Sequence, residues 1–380
     1  MRIVRLANFV TATSGGLRTA LRCLGEGYLA AGHEPVLVVP GDRYRDETTS
    51  QGRIVTTPGW PVPGSGGYRV LLGRRRLAAL LDELRPDRLE VSDRFTLRWT
   101  GAWARRRGVP AVMVSHESLA GLLRIWGAPS RPSRRLADAL NARTAAAYDG
   151  IVCTTLWAGT EFARIGARNV SQVPLGVDLE LFHPDRYDPE LRARYATADE
   201  LLIVHCSRLS VEKRPARAID ALAALQGNGV PAVLVVAGDG PLRERLRERA
   251  AGLPVRFLGF VDRPTEVAAL LATADVVLAP GPVETFGLAA LEALACGTPV
   301  VVSAESALPE VVGDVGVAVA GEGDAFAAGI LSLVDRSATR CRTEARRRAE
   351  ARRRAEEFGW PAAVAGFLTA HGLVDRQEVR

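Results

Sequence analysis

Strand-like and helix-like segments alternate along the whole chain, and this alternation constrains the fold more than any other feature of the sequence. Short runs of valine, leucine and isoleucine are each followed by a longer segment with helical spacing of its apolar residues. Strands that alternate with helices form parallel sheets, because a parallel connection needs a crossover that the helix provides. The sequence therefore predicts an α/β protein with doubly wound parallel sheets.

The predicted strands fall into two series, and 380 residues are enough for two domains of ordinary size. The first series comprises residues 3–7, 34–39, 88–91, 111–115, 150–154 and 170–173. The second comprises residues 201–206, 232–237, 255–258, 275–279 and 299–302. Residues 174–185 have turn formers and no clear period, which is typical of a linker. We predict two Rossmann-like domains facing across a cleft, residues 1–180 and 181–358, followed by a last helix at residues 359–372.

The composition excludes several classes of protein. A hydrophobic share of 47% and a charged share of 24% exclude disordered, collagen-like and coiled-coil chains. No run of eighteen apolar residues is present, and the first ten residues lack the apolar core of a signal peptide. The five cysteines are scattered without a Cys-x-x-Cys pair. We therefore expect neither a disulfide framework nor a zinc site. We expect the protein to be cytoplasmic.

The charge is unevenly distributed. The net charge of +6 divides into +9 up to Phe182 and −3 after it. A basic first half suits phosphate, nucleic acid or an anionic membrane, and charge alone does not decide among them. Of the 49 basic residues only Lys213 is a lysine, which favours a need for a compact ammonium at that position. Chance in an arginine-biased composition is the alternative.

The segment 336–357 is rich in arginine and glutamate. It predicts a solvated helix stabilised partly by the i,i+4 pairs Glu344–Arg348 and Glu350–Arg354. A nucleic-acid or membrane role for that face is the alternative.

Four groups of residues follow predicted strands, where ligands bind in open α/β sheets. The first contains Gly15 and Gly16, whose backbone N–H groups could approach an anion at a helix N-terminus. An ordinary glycine turn is the alternative, and the absence of Gly-x-Gly-x-x-Gly counts against a dinucleotide dehydrogenase. The second contains His116, which could donate to a substrate hydroxyl or be a structural histidine.

The third group contains Arg208 and Lys213. Two fixed cations can stabilise a leaving diphosphate without a metal, and the sequence has no Asp-x-Asp pair that would hold a divalent ion. We therefore expect neither a metal nor another cofactor. Two surface cations at a helix start are the alternative.

The fourth group extends from Gly281 to Glu292. A helix predicted to begin near Phe286 would leave the amides of Phe286, Gly287 and Leu288 as free donors. Glu284 precedes that helix, and Glu292 lies inside it among alanines and leucines. Carboxylates suit sugar and ribose hydroxyls, and a carboxylate in so apolar a helix needs a hydrogen-bond partner. An exposed helix residue is the alternative for Glu292.

In this order and over most of the chain, the motifs resemble the retaining glycosyltransferases of the large family 4 type, which have the GT-B fold. They are Gly15 and Gly16, His116, the run from Ser207 to Lys213, the run from Ala237 to Pro241, the run from Leu258 to Val261, and Glu284-x7-Glu292. The run from Asn8 to His33 is similar to bacterial GDP-mannose-dependent α-mannosyltransferases that build glycolipids.

The resemblance implies a role for each candidate residue. Arg208 and Lys213 would hold the donor diphosphate, which Gly16 would approach from the first domain. Glu284 and the amides at Phe286, Gly287 and Leu288 would hold the hexose, and His116 its 6-hydroxyl. The remaining donor contacts would be Glu292 with the ribose and, near the base, Gly259, Phe260 and Val261. The last helix would pack back on the first domain.

The function that this resemblance implies is retaining transfer of mannose from GDP-mannose to a glycolipid or lipid-linked acceptor, without an enzyme nucleophile. A UDP-sugar donor, a soluble acceptor or a GT-B epimerase are the alternatives. A phosphorylase would need a pyridoxal-phosphate lysine, and Lys213 already belongs to the diphosphate motif. Nucleic acid is not an expected partner, because only 6% of the residues are aromatic and the sequence has no motif for reading a groove or a single strand.

We also expect reversible association with an anionic membrane. Arginines of the first domain flank an apolar run from Leu119 to Trp126, a combination that suits an interfacial surface. A buried core with a solvated basic rim is the alternative. The arginines are Arg74, Arg75, Arg76, Arg105, Arg106, Arg107, Arg131, Arg134 and Arg135.

Overall fold

The computed structural model of the chain describes residues 1–11, 15–63, 67–125, 130–334 and 340–374. The chain divides into two compact units: unit 1 contains Met1–Gly176 and Trp360–Arg380, and unit 2 contains Val177–Gly359. The first boundary falls shortly before the predicted one at 180/181, because Val177 already pairs with Gly359 and its N–H donates to the carbonyl of Phe358. The last helix groups with unit 1.

Unit 1 is built on a twisted sheet whose buried strands are runs of valine, leucine and isoleucine. Its strands are β1 (Arg2–Leu6), β2 (Glu34–Gly41), β3 (Arg45–Thr49), β4 (Gly52–Pro58), β5 (Trp60–Pro61), β6 (Arg69–Val70), β7 (Arg88–Val91), β8 (Ala111–Ser115), β9 (Gly150–Cys153) and β10 (Val170–Gln172). The sheet has the order β10-β9-β8-β7-β1-β2-β4-β3, and its pairs are parallel except β3 with β4. Strands β5 and β6 form a separate hairpin.

Helices connect these strands. They are α1 (Gly16–Ala30), α2 (Arg74–Leu84), α3 (Trp99–Arg106), α4 (Leu119–Ile125), α5 (Ser130–Ala147) and α6 (Leu156–Ala163). Strand β1 pairs with β2 on one side and with β7 on the other. The winding direction therefore reverses at β1, which opens a crevice at the carboxyl ends of β1 and β7.

Unit 2 repeats this architecture with a fully parallel sheet of order β13-β12-β11-β14-β15-β16. The strands are β11 (Leu201–Cys206), β12 (Ala232–Ala237), β13 (Val255–Gly259), β14 (Val276–Ala279), β15 (Val300–Ser303) and β16 (Val317–Val319). The helices are α7 (Pro189–Tyr195), α8 (Ala216–Gly227), α9 (Arg243–Arg249), α10 (Pro264–Thr273), α11 (Leu288–Ala295), α12 (Leu308–Val312), α13 (Gly323–Leu333) and α14 (Arg340–Glu356). The winding reverses between β11 and β14.

The last helix, α15 (Trp360–Ala370), packs on α1 of unit 1. A buried polar cluster lies where the chain leaves this helix. Glu90 of β7 accepts from Arg5 Nε at 2.9 Å and from the Tyr28 hydroxyl at 2.8 Å, and His371 Nε2 lies 3.2 Å from the same carboxylate. Arg5 and His371 hold the pKa of Glu90 well below its usual range against the effect of burial.

The predicted α/β class with two doubly wound parallel sheets is confirmed. The prediction missed β3 to β6 and β16. Strand β3 has the sequence Arg-Asp-Glu-Thr-Thr and is largely exposed at the sheet edge, so it carries no apolar signal.

The expectation for α14 was wrong for the pair Glu350–Arg354 and for the solvation of one side of the helix, although other i,i+4 pairs do form. Arg354 bonds to Glu357 rather than to Glu350, and Glu350 pairs with Arg346. Arg348, Arg352 and Arg354 also donate to backbone carbonyls at the carboxyl ends of α10, α11 and α12. Guanidinium groups suit these positions because the last carbonyls of a helix lack intrahelical donors and carry partial negative charge. One side of the helix is therefore packed against unit 2 instead of being solvated.

Among the residues described here, no helix is long and apolar enough to cross a membrane. Cys23, Cys153, Cys206 and Cys296 are free thiols.

Candidate active site

The carboxyl ends of β11 and β14 bring together two parts of the chain that are far apart in sequence. Lys213 follows β11 on a short 3-10 turn, and Glu284 follows β14. Lys213 Nζ donates to Glu284 Oε1 at 2.5 Å, and both side chains are partly exposed, at 29% and 18%. Both residues were predicted members of the site, and the structure brings them into direct contact. A cation and a carboxylate thus stand together at the point where the sheet changes its winding direction.

Gly281 allows this approach. A Cβ atom added there would lie 3.3 Å from Lys213 Cα and 3.3 Å from the Glu212 carbonyl oxygen, tighter than ordinary packing. A side chain at position 281 would push the loop after β14 away from the turn that carries Lys213 by a few tenths of an ångström, so the glycine favours their close approach.

Arg208 lies half-buried on the loop that leaves β11. That loop is held by the loop after β12: the Leu209 N–H donates to the Asp239 carbonyl, and the Ser207 N–H donates to the Ala237 carbonyl, each at 3.0 Å. Gly238 has a φ of 147°, and a Cβ atom there would overlap the carbonyl of Ser207. The backbone around Arg208 is therefore fixed by close packing of two loops.

Helix α11 begins at Leu288, two residues later than predicted. Gly287 precedes it in the left-handed region, with a φ of 82°, and a side chain there would overlap Leu308. This conformation delays the helix. Phe286 is buried and its ring meets that of Phe358 edge-on, with centroids 5.9 Å apart. The site therefore receives from this segment backbone N–H groups at the first helical turn, where a helix has no internal acceptors.

Glu292 lies further along α11, and its surroundings differ from the expectation that its carboxylate would have a hydrogen-bond partner. Its carboxylate has neither a hydrogen bond nor an ion pair among the residues that the structure describes. Burial raises its pKa to about 7. Burial and the charge of Glu292 together raise the pKa of the Cys206 thiol to about 12, which places the carboxylate beside the end of β11. Glu292 is half-buried, so its carboxylate is an acceptor that a ligand at the sheet edge can reach.

Gly259 is the last residue of β13, and Phe260 and Val261 follow it at the far side of the same sheet edge. The Gly238 N–H donates to the Gly259 carbonyl at 2.7 Å, and Gly259 has a φ of 75°. Phe260 is 41% exposed. The sheet order β13-β12-β11-β14 thus arranges the unit 2 candidates along one edge.

Unit 1 carries the remaining candidates. Gly15 precedes α1 and Gly16 is its first residue; both are exposed, and a Cβ atom at Gly15 would meet nothing within 4 Å. Thr13 and Ser14 lie outside the described residues. His116 follows β8, with Nε2 at 3.2 Å from Ser92 Oγ. Burial lowers the pKa of His116 to about 4, so the imidazole is neutral at pH 7.

The predicted membrane-facing surface of unit 1 keeps its arginines but not the whole of its apolar run. Leu119 is buried in the core, and Arg105 and Arg107 are engaged by the Ala146 carbonyl and by Asp82. Trp126 lies outside the described residues. All the predicted arginines and Arg124 are nevertheless exposed: Arg74, Arg75, Arg76, Arg105, Arg106, Arg107, Arg124, Arg131, Arg134 and Arg135.

Models of two protein families match the chain one after the other. Residues 14–181 match Glycosyltransferase Family 4, and residues 188–354 match Glycosyl transferases group 1. This chain is a family 4 glycosyltransferase. The resemblance drawn from the motifs is thereby confirmed.

Named relatives agree with this family. The glycosyltransferase is 51% identical over 379 residues to the GDP-mannose-dependent alpha-(1-6)-phosphatidylinositol dimannoside mannosyltransferase of Mycobacterium tuberculosis, covering 98% of this chain and 97% of the relative. A GDP-mannose-dependent alpha-mannosyltransferase of the same species is 26% identical over 77% of this chain and 76% of the relative.

A solved structure supports the fold. The Anabaena protein HepE, crystallised with UDP and glucose, matches 98% of this glycosyltransferase and 100% of HepE with a TM-score of 0.76. Because the two sequences are only 20% identical, this similarity supports the fold and not a shared activity. The prediction of a GT-B protein with two Rossmann-like domains is confirmed.

The sequence analysis missed several polar residues of unit 1 around His116. Arg94 follows β7 at the same sheet edge as His116, so the strand-end argument could have found it. Glu161 lies in the apolar helix α6 and is buried. The argument used for Glu292, a lone carboxylate in an apolar helix, applies equally to Glu161. Both residues return below.

Proposed function

We propose that this glycosyltransferase moves mannose from GDP-mannose to a glycolipid of the phosphatidylinositol mannoside class, with retention of the α configuration. The identity of 51% over nearly the full length of both chains is the observation that carries this proposal. The arrangement at the edge of the unit 2 sheet supplies the chemistry that such a transfer needs.

The leaving group is a diphosphate, and cations at the end of β11 would stabilise it. Lys213 lies beside Glu284, and Arg208 lies on the fixed loop before it. The acceptor hydroxyl oxygen forms a bond to C1 of the mannose while the bond from C1 to the diphosphate oxygen breaks. The hydroxyl proton leaves with that diphosphate oxygen, so attack occurs on the same face. Preorganised charges stabilise the negative charge that develops on the diphosphate.

The rest of the donor is assigned to the same sheet edge. Glu284 accepts from hexose hydroxyls, and the N–H groups of Gly287 and Leu288 are free to donate at the first turn of α11. Glu292 accepts from the ribose hydroxyls, which would satisfy its carboxylate. The base lies at Gly259, Phe260 and Val261, where the exposed Phe260 ring is available for stacking.

From unit 1, we assign His116 to the 6-hydroxyl of the hexose and Gly16 to the diphosphate. A neutral imidazole has one nitrogen that donates and one that accepts, which suits a hydroxyl. Gly16 starts α1, and its exposed N–H lies at the positive end of the helix dipole.

Transfer by this enzyme is expected to be metal-independent, because Arg208 and Lys213 already compensate the diphosphate charge. Treatment with a chelator should leave the initial rate with GDP-mannose within about twofold of the untreated rate, against roughly hundredfold changes when a charge partner is removed. Initial rates before and after dialysis against chelator check this. A full loss of transfer that magnesium restores would contradict it.

We also propose that unit 1 binds anionic membranes reversibly from the cytoplasmic side. The variant Arg131→Gln/Arg134→Gln/Arg135→Gln should lower the affinity for vesicles of anionic lipid about tenfold or more, since each basic residue near such a surface contributes about 1 kcal/mol. Vesicle co-sedimentation measures this. The matched control is Arg346→Gln/Arg353→Gln on α14, whose side chains are 80% and 67% exposed. Equal binding to neutral and anionic vesicles, or an equal loss in the control, would contradict the proposal.

A side-by-side donor screen tests the proposed function. GDP-mannose, UDP-glucose and UDP-N-acetylglucosamine are offered with phosphatidylinositol mannoside, and both transfer and hydrolysis are followed. Transfer from GDP-mannose alone supports the proposal. Transfer only from a UDP-sugar, or conversion of the nucleotide sugar without an acceptor, would replace it by the UDP-dependent or epimerase alternative.

A further inference from the structure

The loop that carries His116 is held by a single buried guanidinium. Arg94 is only 2% exposed. Its Nη2 donates to Ser115 Oγ and, at 2.6 Å, to the carbonyl oxygen of Glu117. These are the residues directly before and after His116, so one guanidinium contacts the Ser115 side chain on one side of the histidine and the Glu117 backbone on the other.

Arg94 is itself fixed from the other direction. Its Nη1 donates to Asn141 Oδ1 at 2.9 Å and lies 3.6 Å from Glu161 Oε2. Its guanidinium carbon lies 5.3 Å from the centre of the Phe162 ring. With donors used on several sides, the group has one orientation, which a planar fork of N–H groups provides and an ammonium does not.

Glu161 extends the same network to the start of α4. Its carboxylate accepts from Ser118 Oγ at 2.9 Å, from the Leu119 N–H at 3.1 Å and from the Ala120 N–H at 2.8 Å. It also accepts from Asn141 Nδ2 at 3.1 Å. The segment from Ser115 to Ala120 is therefore tied at its beginning by Arg94 and at its end by Glu161, with His116 between the two.

We propose that Arg94 and Glu161 are positioning residues for His116: together they hold the segment from Ser115 to Ala120 so that the imidazole meets the donor sugar. This inference rests on the proposed function for the role of His116, and on the observed contacts for the clamp itself. A buried ion pair is weak evidence for stability, because desolvation offsets much of its attraction. The contacts suit a different role, in which surrounding residues hold a functional side chain in its working orientation.

Hydrogen–deuterium exchange tests the clamp independently of activity. In Arg94→Lys the charge stays, but the single ammonium nitrogen cannot keep the Nη2 contacts around His116 and the Nη1 contacts to Asn141 and Glu161 at the same time. In Glu161→Gln the acceptor for the α4 amides is weakened. Peptides covering residues 115–121 should exchange about tenfold faster or more in both variants, while peptides of unit 2 remain unchanged. The control is Arg348→Lys, which removes a guanidinium that binds the Ala272 and Ala274 carbonyls of unit 2. Unchanged exchange at residues 115–121 in both Arg94→Lys and Glu161→Gln overturns the clamp.

Kinetics test whether the clamp serves His116. With GDP-mannose, Arg94→Lys should lower kcat about tenfold or more with little change in the donor KM, because a misplacement of about 1 Å can cost that much. The preference for GDP-mannose over its 6-deoxy analogue should fall toward that of His116→Ala. In the His116→Ala background, adding Arg94→Lys should lower kcat only slightly further. If Arg94→Lys does not fold, Ser115→Ala can replace it, because it removes one of the two contacts. It should lower kcat and the donor preference in the same direction but by a smaller factor.

The outcomes separate the two levels of the proposal. A wild-type protein that transfers nothing from GDP-mannose contradicts the proposed function, and the exchange experiment still decides the clamp. An active wild type in which Arg94→Lys retains the wild-type kcat and donor preference, or loses activity additively with His116→Ala, overturns the positioning role.

Discussion

Replacement of Lys213 by alanine should lower kcat for mannose transfer about 100- to 1,000-fold, the scale on which one preorganised charge partner of a developing anion contributes. The proposed leaving diphosphate loses its compact cation. Glu284 loses the ammonium that lies 2.5 Å from its Oε1, so a carboxylate without its partner faces the sugar instead. Steady-state kinetics with GDP-mannose and the glycolipid acceptor measure the effect, and the donor KM should change less than kcat.

The neighbouring residue offers a matched control. Arg214 is exposed and follows Lys213 directly, so Arg214→Gln removes one positive charge from the same turn without touching Glu284. Its kcat should stay near the wild-type value. Lys213→Arg keeps the charge but replaces the point-like ammonium by a planar fork, and we expect partial activity. Wild-type kcat in Lys213→Ala, or equal losses in Lys213→Ala and Arg214→Gln, would contradict the assignment.

Replacement of Glu292 by glutamine should weaken catalysis and stabilise the ligand-free protein. A hydrogen bond from a ribose hydroxyl to a charged acceptor contributes about 1.5–3 kcal/mol, so kcat/KM for GDP-mannose should fall roughly 10- to 100-fold. Stability should change in the opposite direction and increase, because the half-buried carboxylate has no partner among the described residues and partial desolvation disfavours its charged form.

The pH dependence of this stability change follows from the pKa of Glu292. Burial raises that pKa from 4.5 to about 7 in the folded chain. Between these two values the folded chain binds more protons than the unfolded chain, so its stability falls as the pH rises. Above pH 7 the glutamine variant should be more stable than the wild type by about 1–3 kcal/mol. Below pH 4.5 this contribution should disappear.

Melting temperatures of the ligand-free proteins across pH 4–8 check the prediction. The control is Glu244→Gln on α9, whose side chain is 79% exposed, and it should show no such trend. A glutamine variant that is less stable than the wild type at pH 8, or one with wild-type kcat/KM, would show that Glu292 is satisfied within the fold and does not bind the donor.

The sequence predicted the strands wherever burial leaves a continuous apolar run. Strands β7, β8, β11 and β12 have the predicted bounds, because each is buried and flanked by polar or turn residues. The edge strand β3 was missed, since it consists of polar residues that are almost all exposed. The arginines of α14 were predicted to be solvated, because i,i+4 spacing reports only on contacts within one helix. It carries no information about the carbonyl ends of α10, α11 and α12, to which these arginines donate.

The candidate site was predictable to the extent that its residues follow strands. The contact of Lys213 with Glu284 joins two strand ends, and the topology of parallel sheets brings such ends together. The start of α11 was predicted two residues early, because the left-handed conformation of Gly287 arises from its packing against Leu308. The support of His116 by Arg94 and Glu161 joins three separate segments of unit 1, and no spacing rule along the chain connects them.

The most direct test of the account is the product formed from GDP-mannose and a phosphatidylinositol mannoside acceptor by the purified protein in chelator. The account predicts that the glycolipid gains one mannose with the α configuration of the donor, as read by NMR at the new anomeric carbon. A β-linked product, free mannose without transfer, or transfer that proceeds only from a UDP-sugar would contradict it.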